Sequence, residues 1–296
     1  MKLFLESITD RANFDRRIRL ADGRWFGYAD YGDPDGKPIL YFHGGLSSRL
    51  DVAFADPFCR ARGIRLLSID RPGIGLSDFQ PKRTLLDWAD NIDELAQALR
   101  LERFAVLGWS AGGPYVLACA FKMPHRLTRV GISGGMCPIN RAGAVQELGL
   151  FIDRVLFPLA EQFPELAALL LNAARQLPAP ALKWVLEQEL SSSSDRKLVA
   201  SLPPEQATDF FYEAFRSGAQ GTVEDYRILG GDWGFELKEI EAEILLWQGE
   251  EDRLLPMAHA KYLADHLSFA QLIVVPNQGH FLLRSMMEQI LTTLTS

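Results

Sequence analysis

The pentapeptide Gly108-Trp109-Ser110-Ala111-Gly112 is the stretch of this chain whose residue types and spacing point most directly to chemistry. It follows an apolar run ending at Leu107 and precedes the apolar segment Gly113 to Phe121, the setting of a sharp strand-to-helix turn that pushes a serine hydroxyl outward. Glycines two residues to either side of Ser110 remove the side chains that would hold strand and helix apart. Pro114 falls in the first helical turn, where backbone N–H groups lack intrahelical partners in any case. The amino end of that helix also favours negative charge nearby. Ser110 is therefore the candidate nucleophile.

A serine hydroxyl attacks poorly at neutral pH unless a base takes its proton, and histidine is the side chain best matched to that task. Of the five histidines, His125 lies beyond the helix in Met123-Pro124-His125-Arg126, His259 and His266 fall within a helical segment, and His43 follows the run Ile39 to Phe42. His280 stands apart, after a strand and a glycine in Val275-Pro276-Asn277-Gln278-Gly279-His280. That is a loop at the carboxyl edge of a sheet, where open α/β folds bind ligands. An acid that orients the histidine should come from the same edge, and Glu250, Glu251 and Asp252 follow the apolar run Ile244 to Trp247. The spacing Gly249-x-x-Asp252-x-x-x-Pro256 places Asp252 just ahead of a new helix and selects it; Glu250 and Glu251 read as solvated surface charges. The other place for such an acid, Ser133-Gly134-Gly135-Met136-Cys137, contains none.

These residues need a sheet to carry them. Arg17 to Leu20 and Trp25 to Tyr31 flank the turn signal Asp22-Gly23 and predict an antiparallel hairpin. Short apolar runs then recur at Ile39 to Phe42, Ile64 to Ile69, Phe104 to Leu107, Arg129 to Ile132, Ile244 to Trp247 and Leu272 to Val275, as parallel strands buried on both faces require. Between them Thr84 to Arg100 reads as an amphipathic helix, with Thr84 and Asp87 as a capping box and Leu85, Trp88, Ile92, Leu95 and Leu99 as its apolar stripe. Repetition of strand, helix and strand with right-handed crossovers makes a mostly parallel sheet flanked by helices. From about Pro138 to about Glu236 the pattern turns helical, with runs at Ala181 to Leu190 and Glu205 to Ser217, and Ser191 to Ser194 there reads as a polar link or helix cap.

Composition narrows the class. Hydrophobic residues at 48% and charged residues at 23% are ordinary for a globular chain and argue against disorder. The net charge of -7, without a cluster of Lys or Arg, makes nucleic acid an improbable partner. No apolar stretch reaches the ~18 residues of a membrane span. Glu6 and Asp10 interrupt the amino terminus before an export signal could form, so a cytoplasmic location is expected. Cys59, Cys119 and Cys137 have no Cys-x-x-Cys spacing and read as buried apolar residues. Asp70-Arg71-Pro72-Gly73-Ile74-Gly75-Leu76-Ser77 lacks the third glycine of a dinucleotide fingerprint and the Gly-Lys-Ser/Thr of a phosphate loop, and reads as a structural turn.

With Ser110, Asp252 and His280 in that order, and His43-Gly44-Gly45 after an early strand, the sequence resembles the α/β-hydrolase family over nearly the whole chain. The resemblance implies an α/β-hydrolase core at 1–137 and 237–296, with 138–236 inserted as a helical cap. It implies that the backbone N–H groups of Gly45 and Ala111 form an oxyanion hole, and a structural role for His43. A serine in place of an aspartate nucleophile favours acyl transfer to water, so the default substrate is a carboxylic ester of a small apolar molecule, cleaved through an acyl-enzyme without metal or cofactor. Proline iminopeptidases share the His-Gly-Gly segment but usually carry Trp-Gly where this chain has Ala111-Gly112, which makes aminopeptidase activity an alternative. Hydrolysis of carbon–carbon bonds, cofactor-free peroxidation and hydroxynitrile cleavage use similar triads and stay open, as do a non-catalytic small-molecule receptor and the oligomeric state. Phe151, Leu156, Phe157, Trp184, Phe210, Phe211 and Phe215 are expected to pack the cap on the core or to roof the pocket.

Overall fold

The computed structural model describes residues 14–296, so the reading of the amino terminus as lacking an export signal lies outside the described residues. Strands β1 (Arg16–Arg19) and β2 (Trp25–Gly32) form the expected hairpin, with Gly23 at φ +88° where the turn needs a left-handed residue. The chain continues through β3 (Lys37–Phe42), α1 (Asp56–Ala61), β4 (Ile64–Ile69), α2 (Leu86–Ala98), β5 (Phe104–Trp109), α3 (Gly113–Lys122) and β6 (Leu127–Ser133). Helices α4 (Ala144–Glu147), α5 (Phe151–Gln162), α6 (Pro164–Ala174), α7 (Ala179–Glu189), α8 (Ser193–Ser201), α9 (Pro204–Ala214) and α10 (Gln220–Gly230) follow without an intervening strand. Then come β7 (Ile244–Gly249), α11 (Met257–His266), β8 (Ala270–Val275) and α12 (Leu282–Thr295). No described helix is long and apolar enough to cross a membrane.

The strands make one eight-stranded sheet in the order β1-β2-β4-β3-β5-β6-β7-β8, antiparallel at β1, β2 and β4 and parallel from there on. Alternation along each strand sorts side chains onto two cores. Leu40, Phe42, Val106, Ile132 and Leu246 face the core shared with α2 and α3, whereas Ile39, Tyr41, Leu107, Leu245 and Trp247 face the core closed by α12. Strand β8 departs from the expected burial on both faces: it is the sheet's edge, and Val274 is 45% exposed.

Helix α2 begins two residues after Thr84, yet the predicted reciprocal cap is made. The Thr84 amide donates to Asp87 Oδ2 at 2.6 Å and the Asp87 amide donates to Thr84 Oγ1 at 3.3 Å. Trp88 on its buried face packs edge-on against Phe26, Phe42 and Tyr115 at centroid distances of 5.7, 5.0 and 5.4 Å. The three cysteines are buried and unbridged. In the Asp70 to Ser77 turn, Asp70 accepts the Arg49 amide at 2.8 Å and the Leu76 amide at 2.9 Å, and a Cβ on Gly75 would lie 2.1 Å from its carboxylate. Only glycine fits there, so the loop is built as a structural turn.

Two buried charge clusters join the helices after β6 to the sheet. Arg49 meets Asp70 and, from α9, Glu213, both at 2.8 Å. Asp225 on α10 is clasped by Arg71 at 2.6 Å, by Arg83, and by the Tyr115 hydroxyl at 2.8 Å. Burial alone would raise the Asp225 carboxyl, but the two guanidiniums prevail and hold it below its ordinary value. Asp225→Asn leaves two buried cations short of their counter-charge and should lower the free energy of unfolding by about 3–5 kcal/mol, read from urea denaturation.

Candidate active site

Ser110 sits where β5 gives way to α3, with φ of +56°, a left-handed conformation that costs a non-glycine residue energy. The surrounding glycines explain how the turn closes. A Cβ on Gly108 would stand 2.6 Å from the Gly112 carbonyl oxygen, and one on Gly112 would stand 2.1 Å from the Phe42 carbonyl oxygen at the end of β3. Both positions exclude any side chain, so the turn packs directly against the neighbouring strand.

Asp252 follows β7 and His280 follows β8, adjacent parallel strands, so both come from the same carboxyl edge of the sheet. The two residues are 4% and 2% exposed, and His280 Nδ1 lies 2.8 Å from Asp252 Oδ2. Asp252 is itself fixed: Oδ1 accepts the Leu254 and Leu255 amides at 2.9 Å each, and Oδ2 also accepts from Gln248 Nε2 at 3.1 Å. An ionised carboxylate accepts and does not donate, so the hydrogen on His280 Nδ1 points to Asp252 and Nε2 is left free to take a proton. Burial opposes a charged ring, but Asp252, Asp195 and Asp153 together outweigh it and hold the His280 pKa above the ordinary 6.5. The Trp109 indole N–H donates to the His280 carbonyl at 3.1 Å, tying the serine turn to the histidine loop.

Ser110, Ala111, Gly45 and His280 share the wall of one cavity of about 350 Å³. Gly45 and Ala111 face each other closely, since a Cβ on Gly45 would lie 3.7 Å from that of Ala111. His43 is fully buried beside them, and its ring is kept neutral by burial and by the nearby Arg71. Its Nδ1 donates to the Gly44 carbonyl at 2.9 Å, as a structural histidine does. Glu250 is exposed, and Glu251 bonds the Ser193 hydroxyl at 3.2 Å outside the cavity.

Of the apolar residues singled out beyond β6, Phe151, Phe157, Phe210 and Phe211 line the cavity, while Leu156 and Phe215 are buried away from it. Phe151 and Trp184 are each 61% exposed, and Trp184 does not line the cavity. A second cavity of about 650 Å³ shares Trp109, Leu186, Ala207, Phe210 and Phe281 with the first but reaches neither Ser110 nor His280.

Four contributors escaped the sequence. Gly134, at φ +54°, turns so tightly against the pair that a Cβ would lie 3.2 Å from His280 Nδ1 and 3.3 Å from Asp252 Oδ2. The doublet Gly134-Gly135 after a strand was a signal for such a turn. Gln248 had none, being one more residue of an apolar strand. Asp153 on α5 lines the cavity, its carboxyl raised to about 6 by burial against the pull of the Tyr226 hydroxyl and of His280. Asp195, on α8, accepts the backbone amide of His280.

The alpha/beta hydrolase fold family matches residues 37–283. The chain is 24% identical over 236 residues to the pimeloyl-[acyl-carrier protein] methyl ester esterase of Nitrosomonas europaea, covering 77% of this chain and 82% of that one. It is 25% identical to the proline iminopeptidase of Neisseria gonorrhoeae over 278 residues, 86% of each. An esterase from Exiguobacterium antarcticum superposes with a TM-score of 0.66 at 21% identity over 94% of this chain and 97% of that one, a likeness of fold. A match across this much of the sequence, on a mostly parallel eight-stranded sheet flanked by helices, means that the chain belongs to the alpha/beta hydrolase fold family.

Proposed function

We propose that this protein hydrolyses the carboxylic ester of a small apolar molecule, with Ser110 as nucleophile, His280 as general base and Asp252 as the orienting acid. The observation that carries the reading is the cavity lined by both Ser110 and His280, with Asp252 held 2.8 Å from His280 Nδ1. Ser110 Oγ attacks the ester carbonyl carbon as its proton passes to His280 Nε2, and the carbonyl oxygen becomes an oxyanion held by the Gly45 and Ala111 N–H groups. The imidazolium, stabilised by Asp252, gives that proton to the departing alkoxide, which leaves as the alcohol. Water then attacks the acyl-serine with His280 again taking a proton. Collapse of that second intermediate releases the acid and returns the proton to Ser110.

We also propose that 138–236 acts as a cap over a core formed by 1–137 and 237–296. Its aromatic contributions make the cavity mainly apolar, which supports a preference for apolar acyl or alcohol groups. One observation favours aminopeptidase activity as a second reading: the Asp153 carboxyl lines the same cavity and could receive a substrate ammonium group.

A fluorophosphonate probe should label Ser110, located by mass spectrometry of the adduct; labelling elsewhere on folded protein removes Ser110 as nucleophile. Turnover of p-nitrophenyl acetate and butyrate should disappear in Ser110→Ala, and a prolyl p-nitroanilide assayed beside them separates the two readings. Because His280 must be unprotonated to act and its pKa is raised, kcat/KM should fall on acidification with a midpoint above 6.5.

Asp252→Asn should lower kcat by about 10⁴-fold through loss of the correct tautomer, while Glu250→Gln and Glu251→Gln stay within about threefold of the parent. If Glu251→Gln is the crippling change, the acid is misassigned. Across a chain-length series, each methylene that fits should add about 0.8 kcal/mol, a severalfold gain in kcat/KM. Phe157→Ala or Phe211→Ala should flatten that profile, and a profile flat in the parent would remove the cap from substrate selection.

A further inference from the structure

Asp195 does something that its position in sequence gives no reason to expect. It belongs to the first turn of α8, 85 residues before His280, and follows the serine run that the sequence presents as a link. Ser192 does stand at the N-cap position, but its hydroxyl bonds Ser194 Oγ at 2.9 Å and not the helix backbone. The Ser193 hydroxyl reaches Glu251 at 3.2 Å near the surface, and the residue of that segment that reaches the histidine loop is Asp195, only 2% exposed. Its Oδ2 accepts the His280 amide at 2.8 Å and its Oδ1 accepts the Phe281 amide at 2.9 Å. One carboxylate thus grips two successive backbone N–H groups of the histidine loop, a charge-assisted fork that fixes both position and direction.

The loop is shaped to admit this grip. A Cβ on Gly279 would lie 2.2 Å from Asp195 Oδ2, so glycine is required where the carboxylate comes in. On its other side the loop is held by the Trp109 indole through the His280 carbonyl, and the ring is held by Asp252 through Nδ1. Removal of Asp195 would leave the buried His280 amide and the part-buried Phe281 amide without their acceptor, and the ring tethered only at its far edge.

We propose that Asp195 is a positioning residue for His280: it sets the backbone from which the proposed general base projects. The proposal rests on the reading of His280 as that base. The charged groups facing the ring are Asp252 from the loop after β7, Asp195 from α8 and Asp153 from α5, with His259 of α11 more distant and kept neutral by burial. Asp195 itself is raised by burial and lowered by the two amides and by His280. Asp252 remains in place when Asp195 is changed, so the histidine keeps its tautomer while losing its placement and part of its basicity. A residue that merely fastened α8 to the core would affect stability and leave the acid limb where it is.

The test compares Asp195→Asn, which keeps the shape but offers an amide NH₂ to one of the two N–H groups, with the parent, Ser110→Ala and His280→Ala. Each is assayed on p-nitrophenyl butyrate across pH and checked for folding by circular dichroism and thermal melting. The expected result is a kcat lowered by about tenfold or more with KM nearly unchanged, and an acid limb of kcat/KM moved to lower pH because an anion beside the ring is gone. Gly279→Ala, which crowds the same carboxylate from the loop side, should lower kcat with KM held, and it carries the test if the Asn variant does not fold. A folded Asp195→Asn whose acid limb and kcat match the parent, a loss of melting temperature with the limb unmoved, or a Gly279→Ala with parental kcat would each overturn the proposal. Turnover surviving in His280→Ala would overturn the base assignment and this inference with it, whereas dead Ser110→Ala and His280→Ala beside a parental Asp195→Asn would sink this inference alone.

Discussion

The close passage of α3 across the end of β3 is the constraint on which the rest of the site depends. Ser110 holds φ at +56°, a conformation that a serine adopts only when its surroundings enforce it. They do so by contact: Gly112 lies so near the Phe42 carbonyl, and Gly108 so near Gly112, that no Cβ could be inserted at either position. Because β5 lies between β3 and β6 in the sheet, the turn is buttressed on both sides and the hydroxyl is presented at a rigid edge. Trp109, the residue before it, reaches the histidine loop, so the same turn that exposes the serine also helps to set the distance to its proposed base.

Charge is the second organising term. An apolar cavity is a poor place for an imidazolium, and catalysis by the proposed route requires one to form there. Burial lowers the proton affinity of His280, and three carboxylates raise it past the ordinary value, so the site is prepared for the charge before any substrate arrives. The same logic operates farther out with the sign reversed. Asp225 would be neutralised by its burial were it not placed between Arg71 and Arg83, and Glu213 and Asp70 together compensate Arg49.

The sequence made the sheet and the serine turn readable because both are written in local patterns. The short apolar run Ile64–Ile69 coincides with β4, and the spacing of two glycines around a serine announces a close approach that no other residue type tolerates. His280 and Asp252 were readable by position along the chain, each just past a strand at one edge of the sheet, and the structure places them side by side. What escaped was everything that depends on which helix folds over which loop. Asp195 is 85 residues from the amides it binds, and Asp153 is 73 residues from the Tyr226 hydroxyl it accepts. Neither contact has a period or a motif, because helix-on-sheet docking is decided by packing across the whole interface. Trp184 shows the converse: an aromatic in an apolar helical stretch suggested a roof, and it is left 61% exposed.

The helices between β6 and β7 therefore do more than line a cavity. Arg71 donates to the carbonyls of His43 and Gly44, the residues leading to the proposed oxyanion donor Gly45, and the same guanidinium is held by Asp225 of α10. Asp195 of α8 holds the two amides at the proposed base. Both loops that the proposed mechanism places around the substrate carbonyl are thus fastened to the segment that supplies much of the apolar wall. On the proposed reading, substrate selection and the geometry of the reacting groups share one interface, and a change in how that segment docks would be felt in both. This arrangement also explains why the fastenings are ionic. A hydrophobic contact tolerates sliding by a fraction of an ångström, whereas a carboxylate bonded to two fixed N–H groups, or lying between two guanidiniums, loses energy steeply with displacement and so transmits position as well as attraction.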